Sequence, residues 1–166
     1  MISATDIQRA ISGILGEHFP EYPAYLNSNG HADEDYFYVE IMPIRKQHFR
    51  AGLYDRALEI SLSLVLRQDA QGCVDRTILY DAIDTLDAAI LPVVHVIDHE
   101  HPAMGDRFIT VLGSSSRIVD EVLHYSFSLD FTDILAGEGD GMRDFMEDLY
   151  VEKALIYSKE EEENGE

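Results

Sequence analysis

The amino-acid sequence predicts a single α+β domain in which helices cover one face of a mixed or mostly antiparallel β-sheet. Three observations lead to this fold class. Long segments alternate apolar and polar side chains, which is typical of strands with one buried face. Other segments repeat their apolar side chains at helical spacing. The predicted elements follow the order helix, strands, helix, strands, helix, and separate blocks of helices and strands favour an α+β fold.

The composition supports one folded domain. A chain of 166 residues can bury roughly 70% of its unfolded surface, and 46% hydrophobic residues exclude a wholly disordered chain. No apolar run approaches the ~20 residues of a membrane helix, and the first ten residues do not resemble a signal peptide. The single cysteine, Cys73, excludes an internal disulfide and zinc sites built on several thiolates. We therefore expect a cytoplasmic protein with no membrane partner.

The charge argues against nucleic acid as a partner. A formal net charge of −20 repels phosphate backbones and anionic lipid unless bases are segregated. The nearest cluster of bases is "IRKQHFR" (44–50), which we interpret as a solvated loop. Residues 130–166 hold 13 Asp and Glu against three Lys and Arg, so half of the net charge lies there.

The first half of the chain predicts a helix and two long strands. Ser3 or Thr5 caps the helix, with Asp6 completing a capping box, and Pro20 ends it. Its apolar stripe consists of Ile7, Ile11, Ile14 and Leu15, with His18 as a further candidate. A short strand at 24–28 and a polar loop at 27–35 follow. Strand 36–43 ends at Pro43, a loop occupies 44–54, and 56–69 forms a strand with serines on its polar side.

The second half predicts a helix and three strands. Asp75 caps a helix over 75–90 that Pro92 follows, and its apolar stripe is Leu79, Ile83, Leu86 and Ile90. Strands are expected at 93–100, 106–119 and 120–133, the last two joined near "VDE" (119–121). The domain would cover 1–135, followed by a helical extension at 136–158 and a disordered acidic tail at 159–166.

The stretch "DEVLHYSFSLDFTD" (120–133) is the clearest two-faced strand. Its apolar side chains are Leu123, Tyr125, Phe127, Leu129 and Phe131. Its polar side chains are His124, Ser126, Ser128 and Asp130. Alternation assigns the apolar face to the core under the helices. The polar face needs another explanation: bulk water, a substrate or another protein.

The search for catalytic motifs is negative. The phosphate-binding, dinucleotide-binding and nucleophile-elbow patterns are absent from the sequence, and "GSSS" (113–116) fits a hairpin or bulge better than a nucleophile. On a strand, His95, His99 and His101 would point to one side and could hold zinc with a bound water. Nothing elsewhere in the sequence supplies an obvious further ligand. We therefore predict no catalytic, cofactor-binding or metal-binding residue.

Two further groups have ordinary interpretations. Cys73 has only Arg76 as a basic neighbour, so we expect an inert thiol. Asp81, Asp84 and Asp87 share a helical face opposite the apolar stripe. Such a face could bind Mg²⁺ or exchange protons, but a solvated helix face is the expected structure.

Three segments carry a family resemblance. The opening helix "TDIQRAISGILGEHFP" (5–20), the strand "YFYVEIMP" (36–43) and the hairpin "RFITVLGSSSRIVDEVLHYSFSLDFTD" (107–133) occur in this order. The hairpin has the form R-[FY]-I-T … I-V-D … L-H-[FY]-[ST]-F-x-L-x-F-T-D. It resembles tail terminator proteins of phages and prophage-like elements of Gram-positive bacteria, often labelled minor capsid proteins. The resemblance covers residues 1–135 and leaves 136–166 and the loop at 27–35 outside it.

The resemblance implies a structural protein and no enzymatic activity. Terminators form a ring, usually of six subunits, on the last layer of the tail tube, where they stop tube growth and offer a docking surface to the head-completion protein. The implied partners are further copies of the chain, the tail tube protein, and the sheath and head-completion proteins. The implied location is the virion tail, or a headless tail-like particle, assembled in the bacterial host cytoplasm. Related terminators are small α+β domains.

The hypotheses that remain make different predictions. In a ring, an acidic lumen would let DNA pass without binding it, and the polar face of 120–133 would meet a neighbouring subunit or the channel. A metal-dependent enzyme would use His95, His99 and His101. An acidic regulator that mimics DNA would array its carboxylates on one surface at the spacing of phosphates.

Overall fold

Two helices pack against one face of a six-stranded sheet. The computed structural model describes residues 2–26, 34–50, 53–97, 99 and 106–134. The helices and strands are α1 (Ala4–His18), β1 (Ala24–Tyr25), β2 (Tyr36–Arg50), β3 (Leu53–Val65), α2 (Arg76–Ile90), β4 (Val93–Ile97), β5 (Asp106–Val119) and β6 (Val122–Ile134). The strand order across the sheet is β1-β2-β3-β6-β5-β4.

The sheet is mixed, as the sequence predicts. β1 pairs with β2 in parallel over two residue pairs, and the other four neighbouring pairs are antiparallel. The inward side chains of β2 to β6 and the apolar stripes of both helices form one continuous core. The α+β fold class is therefore confirmed. Neither described helix is long and apolar enough to cross a membrane.

Both helices begin at the predicted caps. The hydroxyl of Ser3 accepts the amide N–H of Asp6 at 3.0 Å, and the Asp6 carboxylate accepts the amide N–H of Ser3 at 3.2 Å. These reciprocal bonds form a capping box. Asp75 accepts the amide N–H of Thr77 at the start of α2. The buried face of α2 includes Ala82 in addition to the predicted stripe, and Ile83 lies at its partly buried margin.

The predicted end of β2 at Pro43 is wrong. β2 continues to Arg50 and pairs with β3 from Leu53 onward, so most of the predicted loop at 44–54 is a hairpin. Proline lacks an amide donor, but it is tolerated on edge strands and at bulges. Pro43 meets both conditions, because β1 pairs only with Phe37 and Tyr38 and the β2–β3 register shifts between Pro43 and Arg45. We call residues 44–50 and 53–57 the arm.

The predicted closing hairpin is confirmed. β5 and β6 are joined by Asp120 and Glu121, whose φ angles are 51° and 64°. Two consecutive residues with positive φ match the right-handed twist of a two-residue hairpin. The predicted irregularity at "GSSS" is also present, because the β5–β6 register shifts between Val111 and Ser114. The side chains of β6 that the sequence assigns to the core are the ones that face it.

Several predicted boundaries differ from those of the structure. The strand expected at 24–28 has two residues, and the strand expected at 56–69 spans Leu53–Val65. The strand expected at 93–100 is described as Val93–Ile97. The predicted extension at 136–158 and tail at 159–166 lie outside the described residues.

Candidate interaction surface

The helices leave the opposite face of the sheet, here called the outer face, without cover from the described residues. Its centre is a strip of hydroxyl groups from three adjacent strands. Ser61 of β3 lies opposite Ser126 of β6, which in turn lies opposite Ser115 of β5. The hydroxyl oxygens of Ser115 and Ser126 are 2.9 Å apart, within hydrogen-bond distance. The strip comprises Ser61, Ser63, Ser115, Ser126 and Ser128.

The predicted two faces of β6 are confirmed. Leu123, Tyr125, Phe127 and Leu129 are buried, and Phe131 packs partly buried against the same core. His124 and Ser126 are half-buried, while Ser128 and Asp130 are exposed. His124 lies beside the strip, with its Nδ1 3.0 Å from the hydroxyl of Ser63. Within the described residues, the polar face of β6 is therefore at least partly open to solvent.

Charged groups border the hydroxyl strip on the side of the arm. Arg45 on β2 reaches across the small side chain of Ala57 to Asp130 on β6, at 3.1 Å. Both side chains are about half exposed, so solvent screening limits this ion pair to roughly 0–1 kcal/mol. Thr132 donates its hydroxyl to Asp55 at 2.8 Å in the same region. These contacts fix the arm relative to β6.

An apolar patch occupies the outer face on the other side of the strip. It consists of Val93, Ile97, Phe108 and Leu112. Phe108 is 70% exposed and Leu112 is 92% exposed. The ring of His95 stacks on Phe108 with centroids 4.7 Å apart. Large exposed apolar side chains next to one another, rimmed by polar groups, mark sites of protein association.

The structure does not bring His95 and His99 together. The imidazole of His95 lies on the outer face and contacts Asp106 at 2.8 Å. The Nδ1 of His99 contacts the buried carboxylate of Asp6 on α1, at 3.0 Å. His101 lies outside the described residues. Within the part of the chain that the structure describes, no group of three His, Cys, Asp or Glu side chains could hold a metal ion.

The prediction that the aspartates of α2 face solvent is right for two of them and wrong for the third. Asp81 and Asp84 are exposed. Asp87 is half-buried and accepts hydrogen bonds from the hydroxyls of Ser114, at 2.6 Å, and Tyr125, at 2.7 Å. Burial, together with the hydrogen bond to Asp87, raises the pKa of Tyr125 well above its usual value. Asp87 therefore attaches α2 to β5 and β6.

A second buried carboxylate has no counterpart among the predicted residues. Asp133 is 0% exposed, accepts the amide N–H of Ile2 at 3.0 Å, and lies 3.0 Å from the guanidinium of Arg56. Arg56 also donates to the carbonyl oxygen of Ile2 at 2.6 Å. One sequence signal could have revealed this group. Asp133 continues the odd-numbered series of β6, and an aspartate in the apolar register indicates a buried partner.

Cys73 is exposed and its backbone N–H donates to Asp69 at 2.9 Å. This exposed position lies in the turn before α2, and the inert thiol remains a prediction.

Comparison with known proteins identifies the family. No curated protein matches the chain significantly. A family model described as phage tail terminator protein matches residues 6–140, from α1 to beyond the end of β6. The family gives the protein a structural role in the phage tail and implies contacts with other tail components. Because the match covers most of the sequence, the chain belongs to the phage tail terminator family.

Proposed function

We propose that the protein closes the end of a tail tube as a ring of identical copies, stops tube growth there and offers the surface to which the head-completion protein binds. The observation that carries the proposal is the outer face. It presents hydroxyl groups and large apolar side chains that neither of the two described helices covers. In a family with a structural role in the tail, such a face suits contact with other subunits.

Several of the described carboxylates form contacts within the fold, which favours this function over mimicry of DNA. A DNA mimic would direct its acids outward in an ordered array. In this chain, Asp87 and Asp133 turn into the fold, and Glu121 pairs with Arg76 at 2.6 Å. The acids that face solvent on α2, Asp81 and Asp84, lie on the helix side, away from the outer face.

The proposed partners follow from the position at the tube end. Copies of the chain, six in the proposed ring, would contact one another and the last layer of tail tube protein. A sheath protein and the head-completion protein would contact the ring from outside and above. The proposed location is a virion tail or a tail-like particle, assembled in the cytoplasm of the bacterial host. The overall negative charge would keep the channel from binding DNA.

Tube growth in vitro tests this function. Purified tube protein is polymerised with increasing amounts of the terminator, and tube lengths are measured by negative-stain electron microscopy. We expect shorter tubes and terminator at one end only. Tubes of unchanged length, with no terminator at their ends, would contradict the proposal.

A pair of variants links the activity to the outer face. Ser128→Arg places a large cation at an exposed position of the hydroxyl strip. Gln68→Arg makes the same change in charge at an exposed position away from the outer face, in the segment before α2. We expect Ser128→Arg to lose capping and Gln68→Arg to retain it. Equal capping by both variants would remove the outer face from the mechanism.

A further inference from the structure

We infer that the arm of one copy packs on the apolar patch of the next copy, so that the subunits associate head to tail. The inference rests on the proposed ring and names the two surfaces that would build it. One surface is the arm, residues 44–50 and 53–57. The other is the patch formed by Val93, Ile97, Phe108 and Leu112.

The strand register makes the patch one continuous surface. Phe108 lies directly opposite His95, and Thr110 lies opposite Val93, so the side chains of β4 and β5 interleave on the outer face. The ring of His95 is nearly parallel to that of Phe108, with an angle of 13° between them. This stacking holds the Phe108 ring in place although it is 70% exposed. A partner would meet a preformed apolar surface.

The arm is the apolar and basic counterpart. Ile44 is 58% exposed, and the residues from Arg45 to His48 are exposed as well. The ammonium group of Lys46 lies 5.1 Å from the centroid of the Tyr54 ring, which also contacts the ring of His48. These contacts fix the basic side chains on a paired hairpin. The arm therefore offers paired strands with an exposed apolar side chain, Ile44, and two exposed cations, Arg45 and Lys46.

Charge complementarity favours a second copy as the partner. Residues 44–50 contain three Lys and Arg and no acid, in a chain whose formal net charge is −20. The patch has an acid at its edge, because Asp106 lies opposite Ile97 and its side chain is 50% exposed. A basic arm is attracted to such an edge and repelled by its own cationic copy. Arm-to-patch contact is therefore favoured over arm-to-arm contact.

The strand order requires that this contact form between copies. The arm belongs to β2 and β3, the patch belongs to β4 and β5, and β6 lies between β3 and β5. Two different surfaces held apart on one sheet cannot meet within the same copy. Contact between unlike surfaces is heterologous, and heterologous contacts close into a ring when the rotation per subunit fits. Such a contact would allow cyclic assembly without a symmetric dimer.

Cross-linking of mixed copies tests the contact. Cys73→Ser removes the single cysteine of the sequence, and Ile44→Cys and Leu112→Cys are then made in separate copies. The two proteins are mixed on tail tube ends and treated with a short bismaleimide cross-linker. We expect dimers that contain one copy of each variant, and none from either variant alone. Dimers of one variant with itself, adducts with the tube protein only, or no product would overturn the inference.

An exchange of charges provides the second readout. Lys46→Glu and Asp106→Lys each place like charges together across the proposed contact, and we expect each to lower ring occupancy at tube ends by about tenfold or more. The double variant should recover most of this loss. Arg67→Glu, at an exposed position outside the arm and the patch, serves as the control for Lys46→Glu and should bind normally.

The results separate this inference from the proposed function. If the unaltered protein does not bind tube ends, the proposed function fails. If it binds tube ends but the mixed cross-link is missing and the charge exchange gives no recovery, only the arm-to-patch contact is wrong.

Discussion

The hydrogen bonds of Asp87 allow the attachment of α2 to the sheet to be measured directly. Tyr125→Phe removes one hydroxyl from a side chain that is 0% exposed and leaves its ring in the core. The lost bond is a 2.7 Å contact with a carboxylate. Ser114 still donates to the same oxygen at 2.6 Å, so Asp87 keeps one partner. A hydrogen bond to a charged group contributes about 1.5–3 kcal/mol, and we expect a loss near the lower limit, about 2 kcal/mol.

The assay is urea unfolding followed by far-ultraviolet circular dichroism, because the chain contains no tryptophan. Tyr54→Phe is the matched control, since Tyr54 lies on the arm and its ring contacts with Lys46 and His48 do not need the hydroxyl. We expect the control to lie within about 0.5 kcal/mol of the unaltered protein. If Tyr125→Phe is no more destabilising than this control, Asp87 does not attach α2 to the sheet.

A double-mutant cycle sharpens the test. Ser114→Ala alone should also cost about 1–2 kcal/mol, because Asp87 retains its bond from Tyr125. Removal of both donors leaves the half-buried carboxylate without either partner. The double variant should then lose more than the sum of the single losses, by roughly 0.5–3 kcal/mol. Strict additivity would mean that the two hydroxyls contribute to stability independently of each other.

Three other changes test the core and the buried charges. Arg56→Met removes the closest cation of the fully buried Asp133 but leaves Arg107 3.8 Å away, so it should cost about 3 kcal/mol in urea unfolding. A loss below about 1 kcal/mol would mean that the Arg56–Asp133 pair is not needed. Leu129→Ala should cost about 2–5 kcal/mol, because a fully buried side chain leaves a cavity, and a loss close to zero would place Leu129 at the surface. Burial raises the pKa of Asp6, but hydrogen bonds from Ser3 and His99 outweigh it and hold the pKa below the usual 3.8. Asp6 therefore stabilises the fold above about pH 4 and loses this contribution as the pH falls through its lowered pKa. Ser3→Ala should reduce the loss of stability that acid causes. An unchanged profile of stability against pH would mean that the bond from Ser3 does not lower the pKa of Asp6.

Local sequence signals were sufficient where the responsible contact is local. The capping box at Ser3 needs only Asp6 three residues later, and the two faces of β6 need only alternation. The β5–β6 turn falls where the alternation of two strands is interrupted. In each case the favourable interaction lies within a few residues, so the pattern specifies it.

The prediction failed where the sheet determines the outcome. Pro43 predicts the end of a strand because it lacks an amide donor. Among the described residues, however, no strand pairs with the other edge of β2 at Pro43, and the β2–β3 register shifts there, so the strand continues. Asp87 has the spacing of a solvated helix face, yet its donors lie 27 and 38 residues away in the sequence. The sequence does not reveal the apolar patch, because β5 has apolar side chains on both of its faces. Only the position of the helices shows which of these side chains remain outside the core.

The interaction surface could be anticipated only in part. The residues alone leave water, a substrate or another protein open for the polar side of β6, and the family resemblance favours a neighbouring subunit or the channel. The structure leaves this side uncovered by the described residues. The sequence predicts a solvated loop at 44–50. The segment is instead paired with β3, and Lys46 lies over the ring of Tyr54. Strand pairing over long sequence distances decides this difference.

Electron cryo-microscopy of tail tubes mixed with the purified protein tests the central claim most directly. We expect a closed ring of copies at one end of each tube, six in number, with the arm of each copy on the outer face of its neighbour. Protein distributed along the tube wall, or tube ends that stay bare while the protein remains monomeric, would contradict the account.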